Sequence, residues 1–205
     1  IKLCGEWANA FRVDEGALEL AQVLLTLDDS ENRRRYLNAR HTFEILLAQP
    51  NVIPIVNEND TVATDEIRVG DNDRLAARVA QMISADLLVL LSDVDGLYNV
   101  NPSTSLGGAT LVQEVAQITP EIEAMAGGAG SGFGSGGMRT KIEAAKIAVA
   151  AGCHLLIANG MESHPIQLLV DGRDCTWFKA KANPNSARKH WILGKLRSHG
   201  TYVVD

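Results

Sequence analysis

Three stretches of this sequence concentrate the groups that handle charge. The first is GGAGSGFGSGGMRTK, residues 127–141. Its glycines let the backbone come close to a ligand and let successive N–H groups turn toward one anion. A helix opening at Met138 would add free N–H groups and the positive end of its dipole. Lys141 falls in the first turn, where a cation disfavours a helix by about 0.3–1 kcal/mol. A bound polyphosphate reverses that sign. The Walker pattern G-x-x-x-x-G-K-[ST] is absent, so this is a different kind of phosphate loop. A flexible linker is the alternative, but a linker has no need of Met-Arg-Thr-Lys fused to an amphipathic helix.

The second stretch is LLSDVDGLY, residues 90–98. A hydroxyl and a carboxylate at a strand tip, Ser92 and Asp93, can meet a nucleotide or a metal. D-x-D-G taken alone reads more readily as a turn, and the spacing is not that of an EF-hand loop. The third is a pair: NEND (57–60) follows an apolar run, and GDND (70–73) opens the next periodic segment, with Thr61, Thr64, Asp65 and Glu66 between them. Such amides and carboxylates can hold an ammonium group or position cationic side chains. A polar turn and an N-cap account for either tetrapeptide alone. Two of them at one strand end favour a site.

The elements that must position these groups are legible in outline. Ile1, Leu3, Trp7, Ala10 and Phe11 fall at helical spacing, and Asp14-Glu15-Gly16 ends that run. LELAQVLLT (18–26) reads as a buried strand. Asp28, Asp29 and Ser30 are candidate N-caps for a helix from about Glu31 to Ala48, stopped by Pro50 and Asn51. VIPIV (52–56) is apolar on both faces, as a strand covered on each side must be. A helix from Asn72 or Asp73 to about Ser84, a strand over 86–93, a short strand over 109–115 and a short helix around Pro120–Met125 follow. A helix from Met138 to Ala151, a strand over 154–159 and a last strand over 175–180 complete the order. Helices and strands alternating in this way predict an α/β fold: a three-layer αβα sandwich with a mainly parallel central sheet. Ligands of such sheets bind beyond the carboxyl ends of the strands, which is where the three stretches lie.

Bulk properties set limits. The 205 residues suit one α/β domain or rather less than one large one. A net charge of −6 argues against general nucleic-acid binding. No apolar run is long enough to span a bilayer, and IKLCGEWANAF has no apolar core of a signal peptide. Cys4, Cys153 and Cys175 form no metal motif, and free thiols predict a cytoplasmic protein. The histidines, at 41, 154, 164, 190 and 199, are too scattered in sequence to suggest a cluster.

NEND, GDND, LLSDVDGLY and the loop ending in GSGGMRTK, in this order and spacing, resemble the amino acid kinase family, and within it the branch that acts on glutamate. LLTLDDSENRRRYLNAR (24–40) carries the same resemblance. It implies that MgATP phosphorylates the γ-carboxylate of L-glutamate, opening proline biosynthesis. It implies that Asp60 and Asn72 bind glutamate, that Asp73 orients the catalytic lysines, and that Lys141 follows the transferring phosphoryl group. Ser92 and Asp93, with Ser135, Gly136, Gly137, Met138, Arg139, Thr140 and Lys141, are the implied ATP contacts. Proline as feedback inhibitor and a homo-oligomeric assembly are implied as well. No residue is singled out as a metal ligand, and Mg²⁺ is expected with the nucleotide.

The sequence also departs from the family. The K-x-G-[ST] strand and loop that opens the family's domain has no counterpart here, nor has the S-S-G-A segment that shapes the glutamate pocket. No Met stands at position 1. The expectation is a kinase domain over residues 1–182, N-terminally incomplete by roughly ninety to a hundred residues. Residues 183–205 would be a linker and the start of a possible PUA domain, a module linked to RNA, although RNA binding by this chain is not expected. Another amino-acid or acylamino-acid kinase of the same fold, or a catalytically incomplete nucleotide-binding fragment, are the alternatives.

Overall fold

A computed structural model of the chain describes residues 2–11, 18–62, 72–102, 108–127 and 137–181. The expected linker and PUA segment (183–205), and Ser135 and Gly136 of the glycine loop, lie outside the described residues. Helix α1 (Lys2–Ala10) packs against strand β1 (Glu19–Leu25). Trp7 stacks on Phe11 one turn later, with ring centroids 5.6 Å apart.

The helix expected from about Glu31 to Ala48 forms from Arg33, and a short helix that was not expected precedes it. Thr26 caps α2 (Leu27–Glu31) in a capping box: its amide and its hydroxyl donate to Asp29 Oδ2 at 2.7 and 2.8 Å, and Asp29 N returns a bond to Thr26 Oγ1. Asn32 then breaks the run with an extended backbone (φ −78°, ψ 118°). Its Oδ1 accepts from Arg34 N and Arg35 N and starts α3 (Arg33–Leu47). The Asn32 side chain thereby satisfies donors that a continuous helix would have used internally.

Strand β2 (Val52–Glu58) pairs with β1 in parallel. Pro54 sits mid-strand without disturbing that ladder. Asn51 O accepts from Glu19 N and Asn59 N donates to Leu25 O, so the odd-numbered residues of β2 face β1. Pro54 turns its missing donor the other way. Helix α4 (Asn72–Ile83) then crosses to β3 (Leu87–Ser92).

The second sheet runs β3–β5–β6–β4, with β4 (Glu114–Val115), β5 (His154–Asn159) and β6 (Thr176–Phe178). β3–β5 and β4–β6 are parallel, and β5–β6 is antiparallel. The fold is thus the expected layered α/β one with mostly parallel pairing, its described strands falling into two hydrogen-bonded groups. The short strand expected over 109–115 shrinks to β4 plus a bridge from Leu111 to Tyr98. Helices α5 (Pro120–Ala126) and α6 (Met138–Ala150) match expectation. Helix α7 (Pro165–Val170) does not appear in the sequence reading; Pro165 opens it after His164 in a left-handed conformation.

Two cores result. One joins α4, α6, β3, β5 and β6 around Ile142, Leu155, Ile157 and Phe178. The other joins β1, α3 and α4 around Leu25, Phe43, Leu75 and Met82. Among the described residues, helix α4 alone contributes buried residues to both. It also roofs a cleft of about 470 Å³ that separates β2 from β3. The roof is Leu75, Ala76, Val79, Ala80 and Ile83, and the walls include Val56 and Asn57 of β2 and Leu87 and Leu88 of β3.

Candidate active site

The site begins with small side chains. Ala77 and Ala80 of α4 and Ala144, Ala145 and Ala148 of α6 are buried in one core. Alanine on each helix lets α4 and α6 lie close along their length, and their N-terminal turns therefore meet. Asp73 stands in the first turn of α4, where a carboxylate is favoured by the dipole. Lys141 stands in the first turn of α6, where an ammonium is not.

The two are paired. Lys141 Nζ lies 3.1 Å from Asp73 Oδ2, with side-chain exposures of 11% and 19%. A lysine this buried requires a partner, because stripping water from an unpaired charge is expensive. Thr140 Oγ1 reaches the same carboxylate oxygen at 2.9 Å. Gly137 caps α6 without a side-chain bond to the helix. Met138 packs against the core, and Arg139 is exposed.

A second cluster forms at the carboxyl ends of β3 and β5. Ser92 ends β3 and its hydroxyl donates to Asp93 Oδ1 at 3.0 Å. Asn159 ends β5 in register with Ser92. Its amide donates to Asp95 Oδ1 at 3.1 Å, its carbonyl accepts from Met161 N, and Tyr98 donates its phenol proton to Asp95 Oδ2. Burial first, and the Asp95 carboxylate next, push the Tyr98 phenol above its ordinary value. Gly96 is needed for space: a Cβ there would stand 2.3 Å from Thr176 Oγ1. That hydroxyl accepts from Leu97 N and donates to Val112 O. The turn reading of D-x-D-G therefore gives only half the reason for the glycine.

The structure brings Asp73, Thr140 and Lys141 into contact and sets Ser92 and Asp93 at a strand tip. Asn72, exposed at the start of α4, and Asn57 line one cleft. Asp60 is exposed in the turn after β2. Thr64, Asp65, Glu66, Ser135 and Gly136 lie outside the described residues. Asn159 and Tyr98 escaped the sequence reading. The rule that singled out Ser92, a polar residue ending an apolar strand, finds Asn159 at the end of HLLIAN when applied there.

Residues 4–159 match the model of the amino acid kinase family. The chain belongs to the amino acid kinase family. The matched region ends at Asn159, so it contains Asp73, Thr140 and Lys141 and, of the second cluster, Ser92, Asp93, Asp95, Tyr98 and Asn159. Among curated members of the family, the chain is 56% identical over all 205 residues to glutamate 5-kinase of Paramagnetospirillum magneticum. It is 60% identical over the same length to glutamate 5-kinase of Rhodopseudomonas palustris strain BisB18. In each case the alignment takes in 100% of this chain and 54% of the relative, so the chain spans about half the length of the curated relatives it matches. Among solved structures it is similar to carbamate kinase from Giardia lamblia bound to AMP-PNP. That match has a TM-score of 0.48 and 21% identity, over 71% of this chain and 49% of that one.

Proposed function

We propose that this chain supplies most of the kinase domain of an enzyme that transfers the γ-phosphoryl group of ATP to the γ-carboxylate of L-glutamate. The product is γ-glutamyl phosphate, the first intermediate of proline biosynthesis. The observation that carries the proposal is the buried Lys141–Asp73 pair where two helix N-termini meet, in a chain resembling glutamate 5-kinases along its whole length.

The chemistry asks for little else. An ionised carboxylate is already a nucleophile and needs no general base. The obstacle is repulsion between two anions, and phosphoryl transfer is chiefly positioning and charge neutralisation. Lys141 brings a cation to the opening turn of α6, and the N–H groups at the start of that turn suit phosphate oxygens. Asp73 aims the ammonium. In this reading Ser135, Gly136, Gly137, Met138 and Arg139 line the phosphates, with the Thr140 hydroxyl beside them turned to Asp73; Ser92 and Asp93 meet the nucleotide, and Asp60 and Asn72 hold glutamate. Met138 would act through its backbone, since its side chain packs inward.

Mg²⁺ belongs to this reading as the partner of ATP. Among the described residues no group of three or more His, Cys, Asp or Glu side chains could hold a metal. The ion would neutralise charge on the transferring group. No described helix is long and apolar enough to cross a membrane. A cytoplasmic location, a homo-oligomer and proline as inhibitor are further parts of the proposal.

The test uses the full-length protein with MgATP and L-glutamate, trapping acyl phosphate with hydroxylamine. Glutamate-dependent hydroxamate and ADP are expected, with aspartate and acetylglutamate inert. Turnover with either of those in place of glutamate would assign another acceptor.

A further inference from the structure

Thr140 presents a problem of proton counting. Its hydroxyl lies 2.9 Å from Asp73 Oδ2 and 2.8 Å from the Gly137 carbonyl. Both neighbours are acceptors, and a hydroxyl has one proton to give. The Gly137 carbonyl already accepts from Thr140 N at 3.0 Å. The carboxylate is the stronger acceptor because it is charged. The proton therefore belongs on the Asp73 side.

Asp73 Oδ2 then takes two donors from adjacent residues of α6, Thr140 Oγ1 and Lys141 Nζ. The donors differ in reach. Lys141 sits on a long flexible stem and can swing toward an arriving phosphoryl group. Thr140 Oγ1 is fixed one bond from a helical Cβ and cannot follow. When the ammonium leaves, a largely buried carboxylate would be left short of partners, and that penalty would oppose the movement.

We propose that Thr140 is a positioning residue: its hydroxyl holds Asp73 in place so that Lys141 can leave the ion pair and accompany the phosphoryl group. The inference rests on the function proposed above, and it concerns the Thr140–Asp73 contact rather than any contact of Thr140 with nucleotide. It separates three roles for one side chain. A residue that steadies Asp73 acts on turnover. A nucleotide contact acts on the KM for ATP. A hydroxyl that merely serves the first turn of α6 acts on stability.

The experiment compares Thr140→Val, which keeps the shape and removes the hydroxyl, with Thr140→Ser, which restores it. In the full-length protein, Thr140→Val should lower kcat by about tenfold or more, with the KM for ATP within about twofold, and Thr140→Ser should recover most of the loss. A raised KM with unchanged kcat, or a lowered melting temperature with unchanged kinetics, overturns the proposal. A second readout needs no turnover: the ¹³C resonance of the Asp73 carboxylate should move in Thr140→Val and return in Thr140→Ser. A resonance that stays in place overturns the inference whatever the substrate. If it moves while wild-type protein ignores glutamate, only the substrate reading falls.

Discussion

Replacing Lys141 by Met keeps most of the stem and removes the charge, which makes it the sharpest probe of the ion pair. Turnover in the full-length protein should fall by about 100-fold or more; activity within about tenfold of wild type would move the role elsewhere. Lys141 was legible in the sequence because the glycine loop and the helix start that explain it are its neighbours. Its partnership with Asp73 was not legible from residue chemistry, because the two stand 68 positions apart and meet only when α4 and α6 pack. Gly96 shows the same limit: its neighbour Thr176 lies on the far side of the chain from the turn. Cys153, in contrast, is settled by burial. It is 1% exposed, and loss of water first, with Asp86 second, pushes its thiol up to about 11. A folded value above the unfolded one means that the neutral thiol's contribution is complete below the unfolded pKa and is lost as pH rises through the folded one. Denaturant melts should therefore show stability falling between about pH 9 and 11, and Cys153→Ala should flatten that slope. A slope unchanged by the substitution would assign it to another group.

Among the elements, the α4–α6 contact positions the chemistry. Ala144 is fully buried in it. Ala144→Leu should destabilise the fold by about 1–3 kcal/mol through overpacking and separate Asp73 from Lys141. A denaturation midpoint within error of wild type would mean that the helices have room to spare. Strongly periodic segments such as α4, α6 and β3 were read from the sequence nearly to the residue. Helix α2 was not legible because Asp28, Asp29 and Ser30 all qualify as caps of the longer helix after them, and only the geometry shows Thr26 and Asn32 doing the capping. Strands β4 and β6 are short because their pairing is tertiary: β6 is held between β5 and β4, and nothing local marks its ends. Helix α7 is a six-residue segment, too short for periodicity to register.

At the scale of the whole molecule, the two cores should differ in how readily they open. The core around β5 is the larger, and β5 is buried along both faces. The β1–β2 unit is a two-stranded sheet in contact with α1, α3 and α4. Native-state hydrogen exchange should then show two tiers, with amides of β1 and β2 exchanging well before those of β5 and α6. Equal protection across both would mean that α4 couples them into one cooperative unit. The layered α/β class was visible in the sequence because apolar strands and amphipathic helices alternate; the division into two strand groups was not, because it depends on which strands pair. One detail of α6 reaches as far as the thermodynamics of the molecule. Helix α2 carries its own capping box, whereas α6 begins at Gly137 with no side chain to close its first turn. In the proposed enzyme that closing piece arrives from solution as phosphate. Nucleotide at a hundred times its dissociation constant would add about 2.7 kcal/mol to the folded state. The melting temperature of such a protein is then a gauge of the nucleotide around it.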